Sequence, residues 1–151
     1  MSNEIPRDAD FFVVEDTPFH FENLLKALKE LGFEGEVIHV SSVSQGLKMI
    51  DLMEKSDSNI DIVISDLHLP DGIGLEILQK LRSTKLLAGK PFLVMSTESQ
   101  QDIIISAFEA GATNYIVKPY TTKDLLEKLQ FCWDRREKEK ERGGLFSKFF
   151  K

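Results

Sequence analysis

The sequence predicts a doubly wound α/β fold: a five-stranded parallel sheet with helices on both faces. Three observations predict it. Short apolar, often β-branched runs alternate with stretches whose apolar residues recur at helical spacing. Each short run stops abruptly at polar or charged residues. Apolar periodicity resumes at once beyond every turn, so the alternation implies parallel strands joined by right-handed helical crossovers.

The elements follow in order. Phe11 to Val14 is a buried strand cut off at Glu15 and Asp16. From Phe21 to Leu31, the residues Leu24, Leu25, Leu28 and Leu31 form one helical stripe, with Gly32 as the stop. Val37 to Val40 is the second strand, and Leu47, Ile50 and Met53 mark a second helix before the polar stretch Glu54 to Asn59. Ile60 to Ile64, with Asp61 inside it, has the continuous β-branched character of a strand buried on both faces, and it ends at Ser65 and Asp66. Leu75, Leu78 and Leu81 give the third helix and Phe92 to Met95 the fourth strand. Ile104, Ala107 and Phe108 give a helix stopped near Gly111, and Tyr115 to Val117 is a fifth strand closed by Pro119. Leu125, Leu126, Leu129 and Trp133 stripe the fifth helix. The Gly72 and Gly74 pair and the Lys90-Pro91 step are turns within the domain.

A chain of 151 residues with 42% hydrophobic content can bury one sizeable core but not two ordinary ones. The organisation expected is a polar leader over residues 1–9, one domain over 10–133, and a charged helical extension with a Phe-rich tail over 134–151. Asp134 to Arg142 mixes both charge signs without a coiled-coil seam, and Gly143 with Gly144 is expected to break the helix. Leu145, Phe146, Phe149 and Phe150 would share one helical face, too short to be stable alone, so the tail is either disordered or a hook for a partner's groove or a neighbouring subunit, with membrane insertion a weaker third reading. A net charge of -6 gives no global electrostatic reason to bind nucleic acid or anionic membranes. The lone Cys132, and a start without a signal-peptide pattern, fit a reducing cytoplasm. No apolar run approaches the roughly 18 residues that a membrane span requires.

In an open parallel sheet, ligands sit outside the carboxyl ends of the strands. The polar residues obey that rule: Glu15 and Asp16 follow strand one, Asp66 strand three, Ser96 and Thr97 strand four, and Lys118 strand five. Three crowded carboxylates repel unless a cation shares them. Hard oxygen ligands without a His/Cys cluster suit Mg²⁺ over zinc. A lysine and a hydroxyl facing such an ion would cradle a phosphoryl group.

On these residues the stretch from about Asp10 to Trp133 resembles the receiver domains of response regulators, typified by the bacterial chemotaxis receiver. The runs VVED, VISDLHLPDGIGLEIL, VMSTES and YIVKPY carry the resemblance. It implies a flavodoxin-like sheet of strand order 2-1-3-4-5. It also implies that Asp66 is the phosphoacceptor, and that Mg²⁺ is held by Glu15, Asp16, Asp66 and the backbone carbonyl of His68. Ser96 and Lys118 would bind the phosphoryl oxygens, Tyr115 would be the switch aromatic, and a cis bond would precede Pro119. His68 and Glu98 fall at the variable positions where the family tunes phosphoryl hydrolysis. The implied partners are a histidine kinase or phosphotransfer protein, and a downstream protein met through the fourth helix, fifth strand and fifth helix or through the tail. With no output domain expected in the remaining residues, the signal would pass to another protein.

One departure is Gly72-Ile73-Gly74, where the family often has Met-Asp-Gly, so a differently shaped turn is expected after strand three. Three rivals were weighed. A haloacid-dehalogenase type phosphatase would carry Asp-x-Asp, but His68 holds the second acidic position. A flavodoxin-like ligand carrier would need a Ser/Thr/Gly-rich loop after strand one. A receiver serving only as an unphosphorylated docking module is left for experiment.

Overall fold

The computed structural model describes residues 3–150, with side chains as far as residue 136. Its elements are β1 (Phe11–Val14), α1 (Pro18–Glu30), β2 (Val37–Val40), α2 (Val43–Lys55), β3 (Ile62–Asp66), α3 (Leu75–Ser83), β4 (Phe92–Ser96), α4 (Gln101–Glu109), β5 (Asn114–Val117) and α5 (Thr122–Phe150). The five strands are parallel in the order β2-β1-β3-β4-β5. This is the predicted doubly wound sheet.

Strand side chains alternate between two cores. Phe11, Val13, Ile62, Ile64, Leu93 and Met95 pack with Leu24 and Leu28 of α1 and with Leu125 and Leu129 of α5. Phe12, Val14, Val63, Phe92 and Val94 pack on the other face with Ile50 of α2, Ile77, Leu78 and Leu81 of α3, and Ala107 of α4. Burial on both faces is why the strands read as unbroken apolar runs. Between β3 and α3 the chain makes a short antiparallel hairpin, His68–Leu69 against Gly72–Ile73. Asp71 at its tip accepts from the backbone N–H groups of Val43 and Ser44, at 2.8 and 3.0 Å, and so ties the turn to the start of α2. At the opposite pole the Arg82 guanidinium donates to the carbonyls of Ala88, Lys90 and Gly111, joining the loops that enter β4 and β5.

Several boundaries differ from those the sequence predicts. β3 starts at Ile62 because Asp61 turns its carboxylate onto the Asp10 N–H, at 2.8 Å. α1 starts at Pro18, ahead of Phe21, since proline's fixed φ and missing N–H suit the first helical turn. α5 runs on through Gly143 and Gly144. Each helical glycine costs only about 1 kcal/mol relative to alanine, too little by itself to stop a helix. The side chains of the proposed tail hook lie outside the described residues. No helix among the described residues is long and apolar enough to cross a membrane.

Residues 3–9 are more than a polar leader. Ile5 and Ala9 are buried with Phe11 and Leu28, and the Asn3 carbonyl accepts from Gln130 at 2.8 Å. Ile5→Ala is therefore expected to cost about 2–3 kcal/mol of unfolding free energy, the usual penalty of emptying a buried aliphatic position. Urea denaturation checks it, and a change within error would show that the segment is only laid against the domain.

Candidate functional site

The carboxyl ends of β1, β3, β4 and β5 meet on one rim, and parallel register sets how their residues align. Asp66 is the last residue of β3 and pairs with Met95, while Ser96 ends β4 opposite Val117. Glu15 directly follows β1, and Lys118 directly follows β5 with its N–H on the Ser96 carbonyl at 2.8 Å. Hydrogen bonding of the sheet thus continues into the site, which fixes these backbones before any side chain interacts.

The Lys118 ammonium holds the centre. Its Nζ lies 2.6 Å from Glu15 Oε1, 2.8 Å from Asp66 Oδ2 and 3.1 Å from His20 Nδ1. Lys118 and Glu15 are only 8% and 4% exposed, so the attraction between them is weakly screened. Counting the charged forms, two carboxylates face one ammonium, leaving a local charge of about -1. Burial, more than any other influence, pushes the Glu15 carboxyl above the ordinary carboxylate range, although Lys118 opposes that shift. The second Glu15 oxygen accepts from the Thr17 N–H at 3.2 Å.

Asp66 is held from its other side as well. Its Oδ1 accepts from the His68 N–H at 3.2 Å, and its carbonyl accepts from the Ser65 hydroxyl at 2.9 Å. Gly74 packs directly beneath: a Cβ there would overlap the Asp66 carbonyl oxygen and press on Ser65 Oγ. That close approach explains the second glycine of the Gly-Ile-Gly turn.

Above Asp66, His68 Nε2 and Glu98 Oε1 are 3.5 Å apart across the mouth. Ser96 is fully buried, and its Oγ accepts from the Glu98 N–H at 3.1 Å. Tyr115 is turned inward, 4% exposed, with its hydroxyl donating to the Glu98 carbonyl at 2.8 Å. Burial raises its phenol above the ordinary value. The expected switch aromatic thus faces inward and is tied to the loop after β4. The Lys118-Pro119 bond is cis.

Not every predicted ligand joins the cluster. Glu15 and Asp66 do, but Asp16 is exposed on the rim and their third companion is His20. Sequence reasoning passed over His20 because its residues precede the stripe that announced the helix. The available signal was Pro18, a good first helical residue, which puts His20 in the first turn beside the acidic pair. The donor set suits a divalent cation: two carboxylate oxygens and an imidazole nitrogen already converge on one positive charge, the ammonium, which acts as its stand-in.

Comparison with known proteins agrees in detail with this architecture. The family model for the response regulator receiver domain matches residues 11–130. A chemotaxis protein CheY homolog of Campylobacter jejuni is 32% identical over 118 residues, covering 78% of this chain and 87% of that protein. A CheY-like response regulator receiver domain protein from Methanospirillum hungatei JF-1 superposes with a TM-score of 0.71 at 27% identity, over 87% of this chain and 98% of that one. The receiver domain of a sensor histidine kinase from Pseudomonas aeruginosa PAO1, which has a magnesium ion coordinated in its active-site cleft, shares the fold. Its TM-score is 0.71 at 21% identity, over 83% of this chain and 98% of that one.

The central ammonium gives a direct check. Lys118→Met leaves Glu15 and Asp66 facing each other without a buried cation, so it should destabilise the metal-free protein at neutral pH by roughly 3 kcal/mol. Millimolar Mg²⁺ should restore most of that loss. Thermal denaturation with and without the ion measures both effects, and a variant as stable as the parent without metal would contradict the charge accounting.

Proposed function

The chain belongs to the response regulator receiver domain family, and from that premise we propose that it is a cytoplasmic switch that accepts a phosphoryl group on Asp66. The observation that carries this reading is the bonding of Asp66: a strand-end carboxylate fixed by a buried ammonium and a backbone N–H, with Ser96 beside it. The donor is a phosphohistidine of a histidine kinase or phosphotransfer protein, or a small acyl phosphate. An Asp66 oxygen attacks phosphorus and the bond from phosphorus to the donor breaks. The donor leaves with that electron pair and takes up a proton. Asp66 then carries an acyl phosphate.

Mg²⁺ would be held by Glu15, Asp66 and the His68 carbonyl, with Asp16 at the rim, and would supply charge neutralisation for the incoming phosphoryl oxygens. Lys118 would exchange its bond to Asp66 for one to the phosphoryl group, and Ser96 would give up the Glu98 N–H to donate to another phosphoryl oxygen. That exchange pulls on the loop that holds Glu98 and, through its carbonyl, Tyr115. The added dianion thereby biases two arrangements of the face formed by α4, β5 and α5. A cleft lined by Ile104, Phe108, Val117, Asp124 and Lys128 supports docking of a downstream protein there. The His68 and Glu98 pair spans the approach to Asp66 and would set how long the phosphoryl group survives hydrolysis. The chain would work as a signalling switch, catalysing only its own phosphorylation and dephosphorylation.

Incubation with Mg²⁺ and acetyl phosphate should add one base-labile phosphoryl group, seen by intact-mass spectrometry. Asp66→Asn should abolish it. Equal labelling of the variant would remove Asp66 from the role, whereas no labelling of the parent with any phosphodonor would favour a docking module.

A further inference from the structure

We infer that His20 is a metal ligand of this site, and that its nitrogen shifts the site's preference from Mg²⁺ toward first-row transition dications such as Mn²⁺. The inference rests on the metal-assisted reading of Asp66 and adds to it a donor that a purely oxygen-built site lacks.

Lys118 Nζ is an ammonium and can only donate, so His20 Nδ1, 3.1 Å away, must accept. Nδ1 therefore turns its lone pair to the ammonium, and a metal taking the ammonium's place would meet that same lone pair. That lone pair is aimed into the cluster. His20 Nδ1 lies 3.6 Å from Glu15 Oε1, and donor atoms of Glu15, His20 and Asp66 all fall within 4.8 Å of one another. Two donors bound to one ion at about 2.1 Å stand roughly 3 to 4 Å apart, so little movement is required.

The place these atoms surround is filled by the Lys118 ammonium. A dication that takes it must displace Nζ, and the fold leaves room for that. A cavity of about 410 Å³ borders His20, Lys118, Thr97 and Met95.

Ligand chemistry sets the preference. Mg²⁺ is a hard ion that favours oxygen and gains little from imidazole, whereas imidazole suits the transition dications. His20 is anchored on α1 with its side chain 35% exposed, so it is reachable without opening the core. It sits on a different element from the carboxylates, so a metal would also clamp α1 to the ends of β1 and β3.

Pulsed EPR on the full chain loaded with Mn²⁺ tests this directly. Bound Mn²⁺ should show modulation from a directly coordinated imidazole nitrogen, and His20→Asn, which offers an amide oxygen in its place, should lose it. Competition titrations should show the preference for Mn²⁺ over Mg²⁺ falling about tenfold in that variant. Mn²⁺ bound without nitrogen modulation, or an unchanged preference, would overturn the role of His20 while leaving the phosphoacceptor reading intact. Failure of both ions to bind would overturn both.

Discussion

The ammonium of Lys118 lies 2.6 Å from one carboxylate and 2.8 Å from another, in a position almost closed to water. Burying any of these charges alone would cost several kcal/mol, so each is tolerable only because the others are there. The three come from the ends of β1, β3 and β5, and that shared requirement ties distant parts of the chain to a single geometry. It also leaves the site with an excess of one negative charge, which suits it to a divalent cation. The same ammonium is the group proposed to turn to an arriving phosphoryl oxygen.

The sheet makes that geometry reproducible. Parallel register places Asp66 beside Met95 and Ser96 beside Val117, and the Lys118 N–H continues the ladder onto the Ser96 carbonyl. The site is thus set by backbone hydrogen bonds rather than by loops. In the short loop after β4, the Glu98 N–H meets Ser96 and the Glu98 carbonyl meets Tyr115. Ser96 and Tyr115 are thus linked through one residue, the path proposed for the switch. Gly74 packs under the Asp66 carbonyl, where any Cβ would overlap it.

Much of this was legible in the sequence. Doubly buried strands leave unbroken apolar runs, and their ends are marked by Glu15, Asp66, Ser96 and Lys118, so both the sheet and the rim could be located without coordinates. Other features depend on contacts between residues distant in sequence, and no local pattern reports those. Asp71 grips the start of α2, 28 residues away. Arg82 joins two loops at the far pole through main-chain carbonyls, which carry no sequence signature. Ile5 looked solitary in a polar leader, because one buried residue makes no period. His20 was hidden by a helix start placed a few residues late, and Asp16, which the resemblance of the VVED run makes a metal-site residue, stands exposed on the rim.

The central claim is that four strand ends form one cation-balanced site that closes around a phosphoryl group on Asp66. The most direct test is an amide NMR titration of the full chain with Mg²⁺ and beryllofluoride, a stable mimic of the acyl phosphate. The account predicts that the amides of Glu15, His68, Glu98 and Lys118 shift together, saturate at one ligand per chain and carry Tyr115 with them, with none of this in Asp66→Asn. Shifts confined to one strand end, or the same shifts in the variant, would contradict it.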